Sequence, residues 1–224
     1  MLIGEGISYS YPGNKRVILD DVTFGVHEGE IRAVMGESGI GKSTLLAVLA
    51  GILRPDKGTV KFNDTDIYSL DDRELSAIHR NDISYVPQSN IMMKHLTVAE
   101  NIIDPFLVPS DPGSGKELRD KAQELMDKLG VGDLIDQYPY ELSGGELKRV
   151  SLVRAAIMSP SVIIADEPTT GLDKDTGDRI LGFLSDYSAG GNAVIVATHD
   201  ENIARFTDKI LRSVKSENYH GYFI

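Results

Sequence analysis

The stretch Gly36-Glu37-Ser38-Gly39-Ile40-Gly41-Lys42-Ser43-Thr44 follows the apolar run Ile31–Met35 and precedes the helical run 45–53. Strand, glycine loop and helix in that order form an anion cradle. The glycines let the backbone wrap a phosphate, and the N–H groups of the loop and of the helix start point at it. Lys42 is expected to reach the β- and γ-phosphates, and the Ser43 hydroxyl to ligate Mg2+. The predicted ligand is ATP, with Gly36, Glu37, Ser38, Gly39, Ile40, Gly41, Lys42, Ser43 and Thr44 as its binding segment.

Two more runs, 162–165 and 193–197, are rich in Val, Ile or Ala with hardly a polar break. With Ile31–Met35 they suit strands buried on both faces of a parallel sheet. Each ends in chemistry: the glycine loop after the first, Asp166-Glu167 after the second, Thr198-His199 after the third. Ligands of open α/β sheets bind outside the carboxyl ends of the strands. Two acids at a strand end are costly to desolvate without a cation. Asp166 is therefore expected to hold magnesium, directly or through water, and Glu167 to polarise the attacking water as a base. A simpler reading, acids capping the turn Pro168-Thr169-Thr170-Gly171, weakens beside the glycine loop.

Residues 7–26 carry Val17, Leu19, Val22, Phe24 and Val26 at strand-like spacing around the turn Tyr11-Pro12-Gly13-Asn14, and read as antiparallel. From about residue 88 to 160 helical signals take over. Leu118, Ala122, Leu125, Met126 and Leu129 repeat at helical spacing, with Gly130 as the stop and 109–115 as a loop. The predicted architecture is one α/β domain over 1–224. A mainly parallel nucleotide-binding core, 1–88 and 161–224, carries an N-terminal antiparallel β part and an inserted helical subdomain at 89–160.

At 224 residues and 41% hydrophobic the chain can bury a real core. It has no cysteine, which excludes disulfides, thiolate metal sites and a catalytic thiol. A formal charge of −11 argues against a broad footprint for nucleic acid or an anionic membrane. The start lacks a leader pattern, and the longest apolar stretch is too short to span a bilayer, so a soluble, non-secreted chain is expected.

Leu142-Ser143-Gly144-Gly145-Glu146-Leu147-Lys148-Arg149 is, on its own, a capping box opening a helix. A serine and two glycines at a helix start also make a second anion site, whereas Lys42 and the carboxylates describe one nucleotide site per chain. A second chain could use it across an interface.

Together these residues resemble the ATP-binding-cassette (ABC) ATPases, nearly over the whole chain, with a RecA-like phosphate-loop NTPase core. The resemblance implies that Leu142, Ser143, Gly144, Gly145 and Glu146 contact the γ-phosphate held by the opposite subunit. It further implies Tyr11 stacking on adenine and Gln88 sensing magnesium and the attacking water. His199 would bond the γ-phosphate, and Asp173 would touch the partner. The catalytic set is then Glu167, His199, Lys42 and Gln88, and the magnesium set Ser43, Gln88 and Asp166. Glu146 departs from the family's commoner glutamine; Lys148 and Arg149 are expected to offset its charge.

The branch most resembled is the lipoprotein-release, macrolide-export and cell-division ATPases, without an appended regulatory domain. This implies an ATPase working as a homodimer, or a heterodimer with a sibling, on the cytoplasmic face of the membrane through an integral membrane permease. The permease would dock near residues 88–102, where Met92 and Met93 serve either as an adaptable groove or as core filling. The alternative is a soluble ABC-type ATPase of an assembly scaffold, as in iron-sulfur cluster assembly.

Overall fold

The computed structural model describes residues 1–13, 16–89, 91–107, 114–200, 203, 205–214 and 222–223. Three expectations fall partly outside these residues: the turn at 11–14, the loop at 109–115, and the docking segment 88–102 at its residue 90.

The chain runs β1 (Leu2–Ser10), β2 (Val17–Val26), β3 (Ile31–Met35), α1 (Lys42–Leu49), β4 (Lys57–Phe62), β5 (Thr65–Asp66), α2 (Asp72–Asn81) and β6 (Ile83–Val86). It continues through α3 (Val98–Ile103), α4 (Ser114–Lys128), α5 (Gly144–Ala156), β7 (Val162–Asp166), α6 (Lys174–Ala189), β8 (Ala193–Thr198), β9 (Lys209–Val214) and β10 (Tyr222–Phe223).

One sheet has the order β10-β9-β3-β8-β7-β6 and is parallel from β9 to β6; the other, β2-β1-β4-β5, is antiparallel. This is the α/β class the sequence predicts. The three apolar runs are β3, β8 and β7, side by side in the centre.

Successive residues along these strands are buried on opposite faces, so each strand feeds two cores. Val34, Ile164, Ile195 and Ala197 pack with Leu45, Leu46, Val48 and Leu49 of α1 and with the antiparallel sheet. Ala33, Ile163, Ala165 and Val196 face the helices, among them Leu152 and Val153 of α5 and Leu181 and Leu184 of α6. Because both faces are covered, the strands read as runs with hardly a polar break; the exception, Arg32 of β3, is half-buried and donates to Glu30 at 2.9 Å.

The antiparallel sheet is larger than the 7–26 reading. Pairing starts at Leu2, and β4 joins β1 with Leu2 opposite Phe62. Only Val60 and Phe62 of β4 are buried, a period too weak to recognise without its partner strand. Helix α1 stops at Leu49 because the amides of Ile52 and Leu53 both bond to the Ala47 carbonyl, at 2.9 and 3.1 Å, and turn the chain away. Helix α4 ends as its periodicity predicts. Gly130 takes φ +67, its N–H bonds to the Asp127 carbonyl at 3.0 Å, and the Val131 N–H bonds to Met126 at 2.9 Å.

Strand register positions the site. Met35 lies opposite Thr198, Ala197 opposite Asp166, and Ala165 opposite Val86, so four carboxyl ends finish at one level.

Ile164 is fully buried in the centre of this sheet. Replacing it with Ala leaves a cavity between β7 and α1 and should cost about 2–5 kcal/mol, read as a lower urea midpoint at unchanged slope.

Candidate functional site

The loop between β3 and α1 places Gly41 before the helix at φ +109, where a Cβ would also meet the Ile18 side chain at 3.1 Å. Any other residue there would be strained in backbone and crowded in space. No side chain caps the start of α1. An uncapped helix start of this kind is suited to an anion.

Lys42 opens α1 and is 6% exposed. Its Nζ donates to the carbonyls of Gly36 at 2.6 Å and Glu37 at 3.2 Å, and pairs with Glu167 Oε1 at 3.3 Å. The ammonium is thus held over the concave face of its own loop.

Asp166 ends β7 and is 3% exposed. Burial pushes its carboxyl above the usual range, against a hydrogen bond from Ser43 and the nearby Lys42 charge. Its Oδ1 is buried with no hydrogen-bond partner among the described residues. An orphaned carboxylate oxygen beside a hydroxyl is a donor pair that fits a hard, oxygen-seeking cation such as Mg2+.

Glu167 adopts φ +51, a conformation that costs a non-glycine residue on the order of 1–3 kcal/mol unless its surroundings impose it. They do. Its N–H donates to the Ala197 carbonyl of β8 at 2.8 Å. Its carboxylate takes the Thr170 hydroxyl at 2.5 Å, and both its oxygens lie 3.0 Å from His199 Nδ1. Burial alone would raise its pKa, but these bonds and the Lys42 charge together hold it below the usual range. With that conformation the Glu167 carboxylate lies against Lys42 of the loop, whereas Asp166 takes a hydrogen bond from Ser43.

Tyr11 and Gln88 line the same open cleft as Ser38, Gly39, Gly41, Lys42, Ser43, Thr44 and Glu167. The Tyr11 hydroxyl lies 3.1 Å from Thr44 Oγ1, and its ring, 42% exposed, meets Tyr9 edge-on. Leu142, Ser143, Gly144, Gly145 and Glu146 stand apart from this cleft at the start of α5. There the capping box is formed: Glu146 Oε2 accepts from the Ser143 N–H and hydroxyl, both at 2.7 Å. Those bonds hold the Glu146 carboxyl below the usual range. Asp173 likewise caps α6, accepting from the Thr176 N–H at 2.9 Å and hydroxyl at 2.8 Å.

One expectation needs correcting. Lys148 does not turn to Glu146; its Nζ donates to the backbone carbonyls of Glu167, at 3.1 Å, and Thr170. Arg149 does act on Glu146 electrostatically while donating to the carbonyls of Gly145, Leu129 and Gly130. Sequence reading missed Lys148 and Thr170 as parts of the site. Thr170 could have been found, three residues beyond Glu167 in a turn; Lys148 carries no local signal, since its partners are 19 and 22 residues away.

A family model described as "ABC transporter" matches residues 19–170. The lipoprotein-releasing system ATP-binding protein LolD of Myxococcus xanthus (strain DK1622) is 36% identical over 211 residues, 94% of this chain and 93% of that protein. The macrolide export ATP-binding/permease protein MacB of Shewanella sp. (strain W3-18-1) is 35% identical over 194 residues. That match takes in 87% of this chain and 30% of that protein, so the chain spans under a third of such relatives. Among solved structures, the dimeric ATP-binding cassette MJ0796 in a post-hydrolysis state bound to ADP and Pi aligns with a TM-score of 0.84 at 30% identity, covering 95% of this chain and 94% of that one.

Asp166 weakens the fold it sits in, because its ionised form is buried with one oxygen unmatched. Asp166→Asn should therefore raise the urea midpoint at pH 7 in metal-free, nucleotide-free buffer. A carboxyl whose folded pKa lies above its unfolded one costs nothing below the ordinary carboxylate range and costs most above the folded value. The advantage of Asn should accordingly shrink as the pH is lowered through that range.

Proposed function

The chain belongs to the ABC transporter family and is an ATP-binding, ATP-hydrolysing cassette of it, and from that premise we propose how its residues divide the work. The observation that carries the reading is the group at the carboxyl ends of β3, β7 and β8: a lysine over a glycine loop, an orphaned buried carboxylate oxygen beside a hydroxyl, and a second carboxylate in an imposed conformation.

In this reading residues 36–44 bind the phosphates of ATP, with Lys42 exchanging its loop carbonyls for phosphate oxygens and Tyr11 stacking on the adenine. Ser43, Asp166 and Gln88 would hold Mg2+. When bound, that ion neutralises charge on the β- and γ-phosphate oxygens. Glu167, ionised and fixed by Thr170 and His199, orients and polarises the attacking water; Gln88 helps to place it. His199 bonds the γ-phosphate and steadies Glu167.

The nucleotide is completed by a second subunit, a copy of this chain or a sibling, whose Leu142, Ser143, Gly144, Gly145 and Glu146 face its γ-phosphate while Asp173 touches across the interface. The dimeric form of MJ0796 supports pairing in general. Residues 1–88 and 161–224 form the nucleotide-binding core, and 89–160 the helical subdomain that turns with the partner.

Closure and opening of the pair drive an integral membrane permease that docks near 88–102, placing the chain on the cytoplasmic face of the membrane. Among the described residues no helix is long and apolar enough to cross a membrane, which agrees with a separate permease or permease segment. Ile91 and Met93 are 67% and 60% exposed, whereas Met92 packs against the core. That split suits two outward contacts beside one filler. The relatives named for lipoprotein release and macrolide export favour a transport role over an assembly scaffold.

Glu167→Gln should bind Mg-ATP normally, lose nearly all phosphate release, and accumulate as an ATP-dependent dimer by light scattering. Lys42→Ala, lacking the ammonium, should neither bind nor dimerise. A Glu167→Gln protein that stays monomeric in Mg-ATP at high protein concentration would count against the sandwich. Mass spectrometry of what it retains from detergent-solubilised cells of the source organism checks the permease: a polytopic membrane protein is expected, and soluble scaffold proteins alone would refute the transport role.

A further inference from the structure

Glu167 is held in its left-handed conformation by more than its side-chain bonds, and one support comes from an unexpected place. Lys148 belongs to α5, the helix that Ser143 caps. Its ammonium reaches across to the sheet and donates to the carbonyl of Glu167 itself, at 3.1 Å, and to that of Thr170. The Thr170 hydroxyl in turn donates to Glu167 Oε2. Lys148 therefore closes both ends of the four-residue turn 167–170. It also lines a small cavity with Val86, Gln88, Asp166, Glu167 and Pro168.

We propose that Lys148 is a positioning residue for the hydrolytic step, fixing the backbone of Glu167 from behind so that its carboxylate stays aimed at the attacking water. This rests on Glu167 acting as proposed above. The physical reason is that a strained residue persists only where its surroundings over-determine it. The Glu167 carbonyl accepts the Thr170 N–H at 3.3 Å, and the partly buried Lys148 ammonium adds a second bond to it while tying in the Thr170 carbonyl. Lys148 lies five positions after Ser143, the cap of the same helix, so a shift of α5, whose start faces the partner's nucleotide, moves the support of this chain's own Glu167. Among the described residues the bonds of Lys148 go to the carbonyls of Glu167 and Thr170 and not to residues 36–44, so its loss should act on the hydrolytic step more than on ground-state binding of ATP.

Replacing Lys148 by Met keeps the apolar stem and removes the donors. Hydrolysis should fall on the order of tenfold to a hundredfold in kcat, the scale of a misplaced reacting group, with the KM for ATP within about twofold. Lys148→Arg, which keeps a charged donor, should recover part of the loss. In the Glu167→Gln background Lys148→Met should cause no further loss, because the two act through one carboxylate. Unchanged kcat in Lys148→Met, or a raised KM at unchanged kcat, overturns the proposal, as does a full additional loss on top of Glu167→Gln. Should Lys148→Met fail to fold, Lys148→Gln and Lys148→Arg carry the same comparison. Turnover that is equal in the wild type and Glu167→Gln refutes the role of Glu167 instead, and the proposal falls with it.

Discussion

A buried ammonium and a buried carboxylate meet at the mouth of the central sheet: Lys42 and Glu167, both about 6% exposed and 3.3 Å apart. Neither charge is stable there alone, since removing an ion from water costs several kcal/mol even after relaxation. Each is therefore surrounded by groups that satisfy it: the carbonyls of Gly36 and Glu37 for the lysine, Thr170 and His199 for the glutamate. These partners come from three separate segments, the loop after β3, the turn after β7 and the end of β8. Only a parallel sheet whose strands end at a common level can bring them to one point, so the apolar cores on both faces of the sheet exist, functionally, to keep that register.

The same site costs stability locally. Asp166 has a buried oxygen without a hydrogen-bond partner among the described residues, and Glu167 has a backbone conformation that its residue type disfavours. Both costs fall on adjacent residues at the carboxyl end of β7, beside Ser43 and Lys42 of the glycine loop. The fold sustains them because the strands behind are fully buried and well packed: Val162, Ile163, Ile164 and Ala165 are all at 0% exposure.

Helix α5 carries two features that look unrelated along the chain. Its first turn offers a serine and two glycines held by the Ser143–Glu146 box, and one turn further in Lys148 grips the carbonyls of the Glu167 turn. The carboxylate of Glu146 is drawn to the Ser143 amide and hydroxyl rather than left bare at the helix start. This accounts for how a glutamate is accommodated where the family more often has glutamine, since either side chain closes a capping box.

The order strand, glycine loop, helix and the acids ending the second apolar run were legible in the chain because they are local: each depends on residues within about ten positions, and the nearly unbroken apolar runs report directly that both faces of their strands are covered. The antiparallel sheet was legible only at its first hairpin, since β4 shows two buried positions and pairs with a strand more than fifty residues earlier. The sequence by itself thus determined the fold class, the phosphate loop, the two carboxylates and the capping box at Ser143. Tertiary structure alone decided that Lys148 serves Glu167 rather than Glu146, that Met93 faces out while Met92 faces in, and that the Glu167 carboxylate lies against Lys42. Those outcomes depend on which distant carbonyl, cavity or strand lies within hydrogen-bonding reach once the sheet has closed, and no local pattern encodes that distance.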